Sequence, residues 1–383
     1  MSLLYLTPGC FDKGGISRYS RYQVTALRQI LGADKVTVFS LLGPDAASFE
    51  GAFDVSWHGS GANLWSKGRY CTKALGRILA SRPSLIWSAH VNLSALGCIL
   101  AGLCRSTSVL NVYGLEVWSG LRHDALWGFR KSDEVISDCH FTANYIEGEG
   151  IRPAGSTEVI WDCVDLAKFS PAPPRPSVLK RYGIPGPEVG FNILTLGRMD
   201  QHSAHKGYSR LLDAFGAMAP DIPEASLIFA GRGELGAGLR ERAAEMGLQD
   251  RVFFTGMVHE DDLPDVYRSA HVFSLISDRG YGRGEGIPLT PLEAAACGVP
   301  ILVGNQDGSQ EAVLEGVNGY ALEPFDLDAH VAVLSALAKD TCRRREMGIA
   351  ARRRIEKDFS FEGFRDKHRC LLKRWLQKSM EVA

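Results

Sequence analysis

Apolar segments rich in β-forming residues alternate with helical patterns along most of this chain, and this alternation constrains its fold more than any other feature. In the first half, helical patterns such as Ser17–Leu31 and Ala95–Leu103 lie between the apolar segments. Alternation of this kind predicts an α/β fold, with a parallel sheet covered by helices on both faces. The strand candidates there are SLLYLT, KVTVFSLL, SLIWSAH, SVLNVYG, EVISD and TEVIW.

A proline-rich segment, SPAPPRPS at Ser170–Ser177, interrupts the alternation and lacks residues that could build a core. We therefore expect a linker at 171–177. A chain of 383 residues is also longer than one ordinary core requires. These observations predict two doubly wound, Rossmann-like domains at 1–170 and 178–358. Beyond the linker the strand candidates are FNILTLG, ASLIFAG, RVFFTG, HVFSLIS and PILVG, and helices are expected at Tyr208–Met218, Leu239–Met246 and Asp262–Ser269.

The last segment, Phe361–Lys378, is basic and has the pattern of a helix. Large apolar residues recur there near helical spacing, so one face should be buried. We expect residues 359–383 to form a C-terminal helix that follows the second sheet. The apolar residues are Phe364, Leu371, Leu372 and Trp375.

Composition excludes several classes of protein. A net charge of −1 gives no overall nucleic-acid signature. No apolar run reaches the roughly 18 residues of a membrane span, and the opening MSLLYLTPG is typical of a buried first strand, not of a signal peptide. The nine cysteines include no Cys-x-x-Cys pair, which predicts reduced cysteines in a cytoplasmic protein. His202 and His205 lie in a polar loop, and no metal site is expected there.

One segment, EGIPLTPLEAAACGVP at Glu285–Pro300, carries a functional signal. Two carboxylates, Glu285 and Glu293, lie eight positions apart across a loop that runs into a helix. Thr290 is placed to cap that helix, whose free backbone N–H groups would attract an anion. A diphosphate there, with a carboxylate on each side to hold sugar hydroxyls, would make a nucleotide-sugar site. Glu293 also fits a capping box with Thr290, so a purely structural role for it stays open.

This segment resembles the Glu-x7-Glu motif of the retaining GT-B glycosyltransferases of the GT4 family, also called glycosyl transferases group 1. Two further stretches are similar to the family, namely Gly197-Arg198 followed by Lys206-Gly207, and LIFAGRGELGAGL followed by RVFFTGMVHEDDL. The resemblance implies a GT-B fold, in which two Rossmann-like domains face each other across a cleft. The N-terminal domain would bind the acceptor and the C-terminal domain the nucleotide sugar, and the final helix would cross back to the N-terminal domain.

The resemblance also implies roles at the donor site. Glu285 would hold hydroxyls of the donor sugar and Glu293 those of the ribose. The cations of Arg198 and Lys206 would hold the diphosphate, and they favour the transition state because the leaving group gains negative charge. No Asp-x-Asp motif follows a strand, and neither a metal nor another cofactor is expected. The donor-binding residues implied by the family are Gly15, Arg232, Val258, Gly286, Ile287, Leu289, Thr290 and Glu293.

The first half resembles the family less closely. Its glycine loop, GCFDKGGIS at Gly9–Ser17, is similar to the loop that opens the acceptor domain, with a plain turn as the alternative. The loop is neither a P-loop nor a Gly-x-Gly-x-x-Gly fingerprint, which argues against a dehydrogenase. His90 ends the fourth strand segment, where the family commonly has a histidine; it is expected to be catalytic or, alternatively, structural. Tyr113 replaces a family histidine and, with Glu116, is expected on the acceptor side.

The expected function is retaining, metal-independent transfer of a sugar from a nucleoside-diphosphate sugar to a hydroxyl acceptor. A saccharide or lipid-linked saccharide acceptor, in polysaccharide or glycolipid synthesis, is implied by the family alone. Two alternatives stay open, a GT-B nucleotide-sugar epimerase and a degenerate protein that binds a nucleotide sugar without turnover. Peripheral contact with the inner face of a membrane is also considered, because Leu64–Arg82 has the pattern of a basic amphipathic helix. The alternative is a helix packed on the sheet with a solvated charged face.

Overall fold

The computed structural model describes residues 1–11, 14–43 and 55–381. The chain forms two compact units, Met1–Cys163 with Phe361–Ala383, and Val164–Ser360. Each unit is built on one parallel sheet with helices, so the α/β prediction is confirmed.

The two units divide between Cys163 and Val164, so the segment predicted as a linker, 171–177, comes after the division. That segment packs within the second unit, because Arg175 donates from its main chain and its side chain to Asp265, at 2.9 and 2.7 Å. The preceding Phe169 meets Tyr267 edge to face, with ring centroids 5.9 Å apart. Residues 171–177 are rich in proline and lack the pattern of a core segment, but Arg175 still holds them to the buried carboxylate of Asp265.

The first unit contains seven strands among the described residues, and these are β1 Leu3–Thr7, β2 Val36–Ser40, β3 Trp57–His58, β4 Leu85–Ser88, β5 Thr107–Val112, β6 Glu134–Ser137 and β7 Thr157–Val159. Its helices before the second unit are α1 Gly15–Leu31, α2 Leu64–Ser81, α3 Ser94–Cys104, α4 Leu115–Trp118, α5 His123–Lys131 and α6 His140–Gly148. The strands are parallel in the order β3-β2-β1-β4-β5-β6-β7. The order reverses between β1 and β4, so the loops that follow these strands lie at a switch point, where such sheets bind ligands.

The second unit contains six strands among its residues, all of which are described, and these are β8 Phe191–Leu196, β9 Ala225–Ala230, β10 Val252–Gly256, β11 Val272–Leu275, β12 Ile301–Gly304 and β13 Gly319–Leu322. Its helices are α7 Pro176–Tyr182, α8 Tyr208–Met218, α9 Leu235–Glu245, α10 Leu263–Arg268, α11 Leu289–Ala296, α12 Leu327–Lys339 and α13 Thr341–Asp358. The order is β10-β9-β8-β11-β12-β13, with all neighbours parallel. The switch point of this sheet lies between β8 and β11.

The last helix, α14 Phe361–Glu381, belongs to the first unit although it follows the second unit in the chain. It packs against α1, where Phe364 meets Tyr19 edge to face at 5.3 Å between ring centroids. The apolar face expected from the sequence is buried in the core of this unit. The helix therefore closes one side of the first sheet.

Candidate functional site

Two loops of the second unit meet at its switch point, where β8 and β11 are neighbours in the sheet. Residues 197–207 follow β8, and residues 276–288 follow β11 and lead into α11. The main-chain N–H of Asp278 donates to the carbonyl of His205 at 2.9 Å, which joins the two loops. This edge therefore gathers the second-half residues that the sequence singled out.

The conformation of the loop after β8 is fixed by contacts with α8 and with the loop after β11. Gly207 has a φ of 79°, and a Cβ there would lie 2.5 Å from the carbonyl oxygen of Ile276. Arg210 of α8 donates to the carbonyls of His205 and Ile276 at 3.2 and 3.1 Å. Its Nη1 atom pairs with Asp278 at 2.8 Å. These contacts fix the residues that come just before Gly207.

Glu285 and Lys206, both predicted at the donor site, form an ion pair with Nζ 2.6 Å from Oε1. The Nε2 atom of His205 lies 3.0 Å from the same oxygen. Burial by itself raises the pKa of Glu285, but the charge of Lys206 and the contacts of His205 outweigh burial and lower this pKa to about 2. Glu285 is therefore ionised at neutral pH, and its carboxylate can only accept hydrogen bonds.

Asp307 holds the main chain of Glu285 and was not found from the sequence. Its Oδ2 accepts hydrogen bonds from the Glu285 N–H at 2.8 Å and from the Ser277 hydroxyl at 2.6 Å. The next residue, Gly308, donates its N–H to the Glu285 carbonyl at 3.0 Å. Burial raises the pKa of Asp307 to about 6. The sequence feature that could have pointed to Asp307 is the Asp-Gly pair shortly after the strand segment PILVG.

The helix that follows Glu285 starts earlier than predicted. It begins at Leu289, with Pro288 at the N-cap position and no side-chain cap. The prediction that Thr290 caps the helix is therefore wrong, because Pro288 already supplies the extended backbone that precedes a first turn, with φ −71° and ψ 137°. The capping box of Thr290 with Glu293 fails for the same reason. Glu293 is buried, at 2% exposure.

A hydrogen bond identifies one partner of this buried carboxylate. The Tyr267 hydroxyl, on α10, donates to Oε2 of Glu293 at 2.7 Å. Tyr267 was expected in the core and is buried. The two glutamates of the motif are thus held differently. Lys206 and His205 contact Glu285 at the sheet edge, whereas the Tyr267 hydroxyl contacts Glu293 in the core.

Three further donor-site candidates follow neighbouring strands at the same edge. Arg198 is exposed just after β8, and its carbonyl accepts the Tyr208 hydroxyl at 2.8 Å. Arg232 is exposed after β9, and Val258 is half-buried after β10. Among the described residues, none of the three candidates has a polar contact with Glu285. The other second-unit candidates connect Glu285 to α11 or begin that helix, and they are Gly286, Ile287, Leu289 and Thr290.

Two candidates lie at the switch point of the first unit. Gly15 is the exposed first residue of α1, and residues 12–13 of its glycine loop lie outside the described residues. His90 follows β4, and its Nδ1 accepts the Asn92 N–H at 3.1 Å. Burial lowers the pKa of His90. The neutral ring therefore carries its hydrogen on Nε2, which can donate to a ligand.

Tyr113 and Glu116, expected on the acceptor side, make contacts within the fold. The Glu116 carboxylate accepts the Tyr113 N–H at 2.6 Å and so closes the turn after β5. The Tyr113 ring is buried and meets Tyr19 edge to face, with centroids 5.2 Å apart. Both contacts are structural, and an acceptor-side role for these residues stays a prediction.

The described residues contain no group of three or more His, Cys, Asp or Glu side chains that could hold a metal ion. No helix in the described part of the chain is long and apolar enough to cross a membrane. All nine cysteines are described, and none is in a disulfide.

Comparisons with known proteins agree on one family. A family model described as Glycosyl transferases group 1 matches residues 187–354. A GDP-mannose-dependent alpha-(1-6)-phosphatidylinositol monomannoside mannosyltransferase of Mycobacterium tuberculosis is 30% identical over 274 residues, covering 70% of this chain and 70% of the relative. A protein of the same description from Mycolicibacterium smegmatis is 29% identical over 277 residues, again 70% of each chain.

Among solved structures, Anabaena HepE in complex with UDP is similar to this chain with a TM-score of 0.81. The sequence identity is 18%, and the match covers 98% of this chain and 100% of that one. At this identity the likeness shows the fold alone.

Proposed function

The chain belongs to the glycosyl transferases group 1 family, and we propose that it is a retaining glycosyltransferase that needs no metal. The GT-B fold and the class of activity, sugar transfer, come with the family. The donor is a nucleoside-diphosphate sugar bound by the second unit. The acceptor is a hydroxyl of a saccharide or of a lipid-linked saccharide.

The contact between Lys206 and Glu285, just before the N-terminus of α11, is the observation that carries this proposal. A diphosphate at the first turn would meet the N–H groups of Leu289 and Thr290 and the ammonium of Lys206. Arg198 lies on the same loop as Lys206 and adds a second cation. Glu285, ionised and partly exposed, would then accept hydrogen bonds from hydroxyls of the donor sugar.

In the transfer step, the bond between the anomeric carbon and the diphosphate breaks, and a bond to the acceptor oxygen forms on the same face of the sugar. The acceptor proton passes to the departing phosphate oxygen. Lys206 and Arg198 stabilise the negative charge that the leaving group gains, while Glu285 stabilises the positive charge on the sugar. The positive charges of Lys206 and Arg198 do the work that a metal ion does in other transferases.

The acceptor proposal draws on the relatives and on one helix. The two mycobacterial relatives are described as acting on a phosphatidylinositol monomannoside, which supports a lipid-linked acceptor. On α2, Leu64, Trp65 and Leu79 are 87%, 78% and 71% exposed, while Tyr70 and Ile78 are buried. Exposed apolar side chains among lysines and arginines suit an anionic bilayer surface.

A screen of nucleoside-diphosphate sugars by thermal stabilisation tests the donor assignment, because a ligand that binds only the folded state raises its melting temperature. The best donor is then tested for turnover with saccharide and lipid-linked acceptors, with and without a chelator. We expect turnover that a chelator leaves unchanged and a product with the anomeric configuration of the donor. Absence of stabilisation by every donor would contradict the proposed function, and rescue of a chelated enzyme by magnesium or manganese would contradict the metal-free mechanism.

A further inference from the structure

Lys206 has two binding partners, the donor diphosphate of the proposed function and the carboxylate of Glu285. The proposed function places its ammonium on the donor diphosphate, yet in the structure the ammonium lies 2.6 Å from Oε1 of Glu285. If Lys206 alone compensated Glu285, its movement to a phosphate would leave a largely buried carboxylate unpaired, which is costly and leaves the side chain free to turn. A second group must therefore hold Glu285.

His205 is in the position to do this. Its side chain is buried, with Nδ1 3.0 Å from the His202 carbonyl and Nε2 3.0 Å from Oε1 of Glu285. A carbonyl and an ionised carboxylate can only accept hydrogen bonds. Both contacts are hydrogen bonds at the same time only when both ring nitrogens carry hydrogen, as in an imidazolium paired with Glu285.

His205 is fixed, whereas Lys206 can move. The His205 carbonyl accepts hydrogen bonds from the Asp278 N–H at 2.9 Å and from Arg210 at 3.2 Å. Its ring is tied at both nitrogens. Lys206 holds Glu285 through one terminal atom on a flexible four-carbon stem, which can swing without moving the loop.

We propose that His205 is a positioning residue for Glu285, which keeps this carboxylate charged and in place while Lys206 turns to the donor diphosphate. Lys206 and His205 both contact Oε1 of Glu285. Among the described residues no polar contact to Oε2 is present, so this oxygen can accept a hydroxyl of the sugar. The movement of Lys206 to the donor diphosphate rests on the proposed function. The pairing of His205 with Glu285 does not.

The pairing is tested first in the protein without donor. A proton–nitrogen correlation spectrum of the imidazole rings at pH 7 should show His205 with hydrogen on both ring nitrogens. The signal is assigned by its loss in His205→Gln, and it should change in Glu285→Gln. A ring that carries a single hydrogen would overturn the inference, whatever the enzyme turns out to transfer.

The role is tested with His205→Leu, which removes both donors, and with His205→Gln, which keeps one donor without the charge. His202→Ala is the matched control, because this neighbouring histidine is exposed and only its main-chain carbonyl is used. With His205→Leu we expect kcat to fall by about 10- to 100-fold while the affinity for bare nucleoside diphosphate stays within about 2-fold. His205→Gln should lie between His205→Leu and the parent, and His202→Ala should match the parent.

Two results would overturn the positioning role. One is turnover by His205→Leu at the parent rate. The other is an equal loss of affinity for the bare nucleoside diphosphate and of kcat, which would indicate a phosphate-binding or purely structural role. If His205→Leu does not fold, the same comparison is made with His205→Gln. Failure of the parent to bind any donor would count against the proposed function, and the ring spectrum would still decide the pairing.

Discussion

Single residues of the Glu-x7-Glu segment differ in what they contact, and their loss should have different effects. Glu285 contacts the side chains of Lys206 and His205 at the sheet edge. Glu285→Ala should therefore leave the affinity for bare nucleoside diphosphate within about 3-fold but lower kcat with the intact donor by about 100-fold, because the sugar is poorly oriented. Calorimetric titration and steady-state kinetics measure the two effects. Parent-like binding and turnover in this variant would remove the basis for assigning the motif.

Loss of the Glu293 side chain should weaken nucleotide binding and lower the stability of the fold. Glu293→Ala should raise KM for the donor, weaken nucleotide binding and lower the free energy of unfolding by about 1–3 kcal/mol, because it leaves the Tyr267 hydroxyl buried without this acceptor. Tyr267→Phe is the control, since it removes the hydroxyl and keeps the ring. In a double-mutant cycle by urea unfolding, the two changes together should cost less than their sum. Additive costs, or an unchanged nucleotide affinity, would contradict this assignment.

Asp307 should make stability depend on pH. Its pKa is raised from an unfolded value of about 3.9 to about 6 in the folded protein, mainly by burial. A raised pKa means that the folded state binds the proton more tightly, so this contribution to stability is fully present below about pH 4 and is lost as the pH rises through 6. Asp307→Asn should remove this dependence, which is on the order of 3 kcal/mol between these limits. Urea unfolding at several pH values measures it, and a parent–variant difference that does not vary with pH would contradict it.

Helices and strands could be predicted from the sequence where a short stretch of consecutive residues carries their hydrophobic pattern. The eleven strand segments expected from the sequence are all present, and the helix at Tyr208–Met218 has the predicted bounds. β3 has only two residues, and β13, with the sequence GYAL, is defined by its pairing with β12. The start of α9 was placed too late because glycines precede Leu239.

Residues of the candidate site could likewise be predicted only where a local sequence pattern identifies them. The loops that carry Arg198, Lys206 and Glu285 were predictable because each follows a recognisable strand. The contact of His205 with Glu285 spans 80 positions, and that of Asp307 with Glu285 spans 22. No local pattern contains such contacts, since they depend on which strands become neighbours at the switch point.

The loop after β8 should depend on Gly207 more than its conformation alone requires. Gly207→Ala places a Cβ 2.5 Å from the Ile276 carbonyl as well as in a left-handed conformation. Gly183→Ala is the matched control, with a φ of 64° and open space around the added carbon. We expect a cost of about 1 kcal/mol at Gly183 and at least about 2 kcal/mol at Gly207, together with weaker donor binding only at Gly207. Equal costs in urea unfolding would mean that the loop yields to the added carbon.

The exposed face of α2 should determine any binding to membranes. Replacing Trp65 and Leu79 by serine removes exposed apolar surface from this face without touching the buried side chains of Tyr70 and Ile78. In liposome flotation we expect the parent to float with anionic vesicles more than with neutral ones, and the double variant to stay at the bottom of the gradient. Ile99→Ser, at an exposed site on α3, serves as the control. Equal flotation of the parent with both kinds of vesicle would end the membrane hypothesis.

The whole molecule has one feature that lets its two units be followed separately. All seven tryptophans lie in the first unit, and the last of them, Trp375, is on α14. Tryptophan fluorescence therefore reports on the first unit, whereas far-ultraviolet circular dichroism reports on both. Because α14 comes after the second unit in the chain, the first unit is complete only when both ends of the chain are in place.

Trp375→Ala should therefore destabilise the first unit selectively. This side chain is buried in the core of the first unit and lies 5.8 Å from Trp87 between ring centroids, so its loss should cost about 3–5 kcal/mol. Trp127→Ala is the control, because Trp127 is 46% exposed and its removal changes the fluorescence without opening the core. We expect the fluorescence-detected unfolding midpoint to fall for Trp375→Ala alone. Nucleoside diphosphate, which the proposed function places on the second unit, should stabilise the transition seen by circular dichroism more than that seen by fluorescence. A parent-like fluorescence midpoint for Trp375→Ala would show that the first unit keeps its stability without the contacts of this helix.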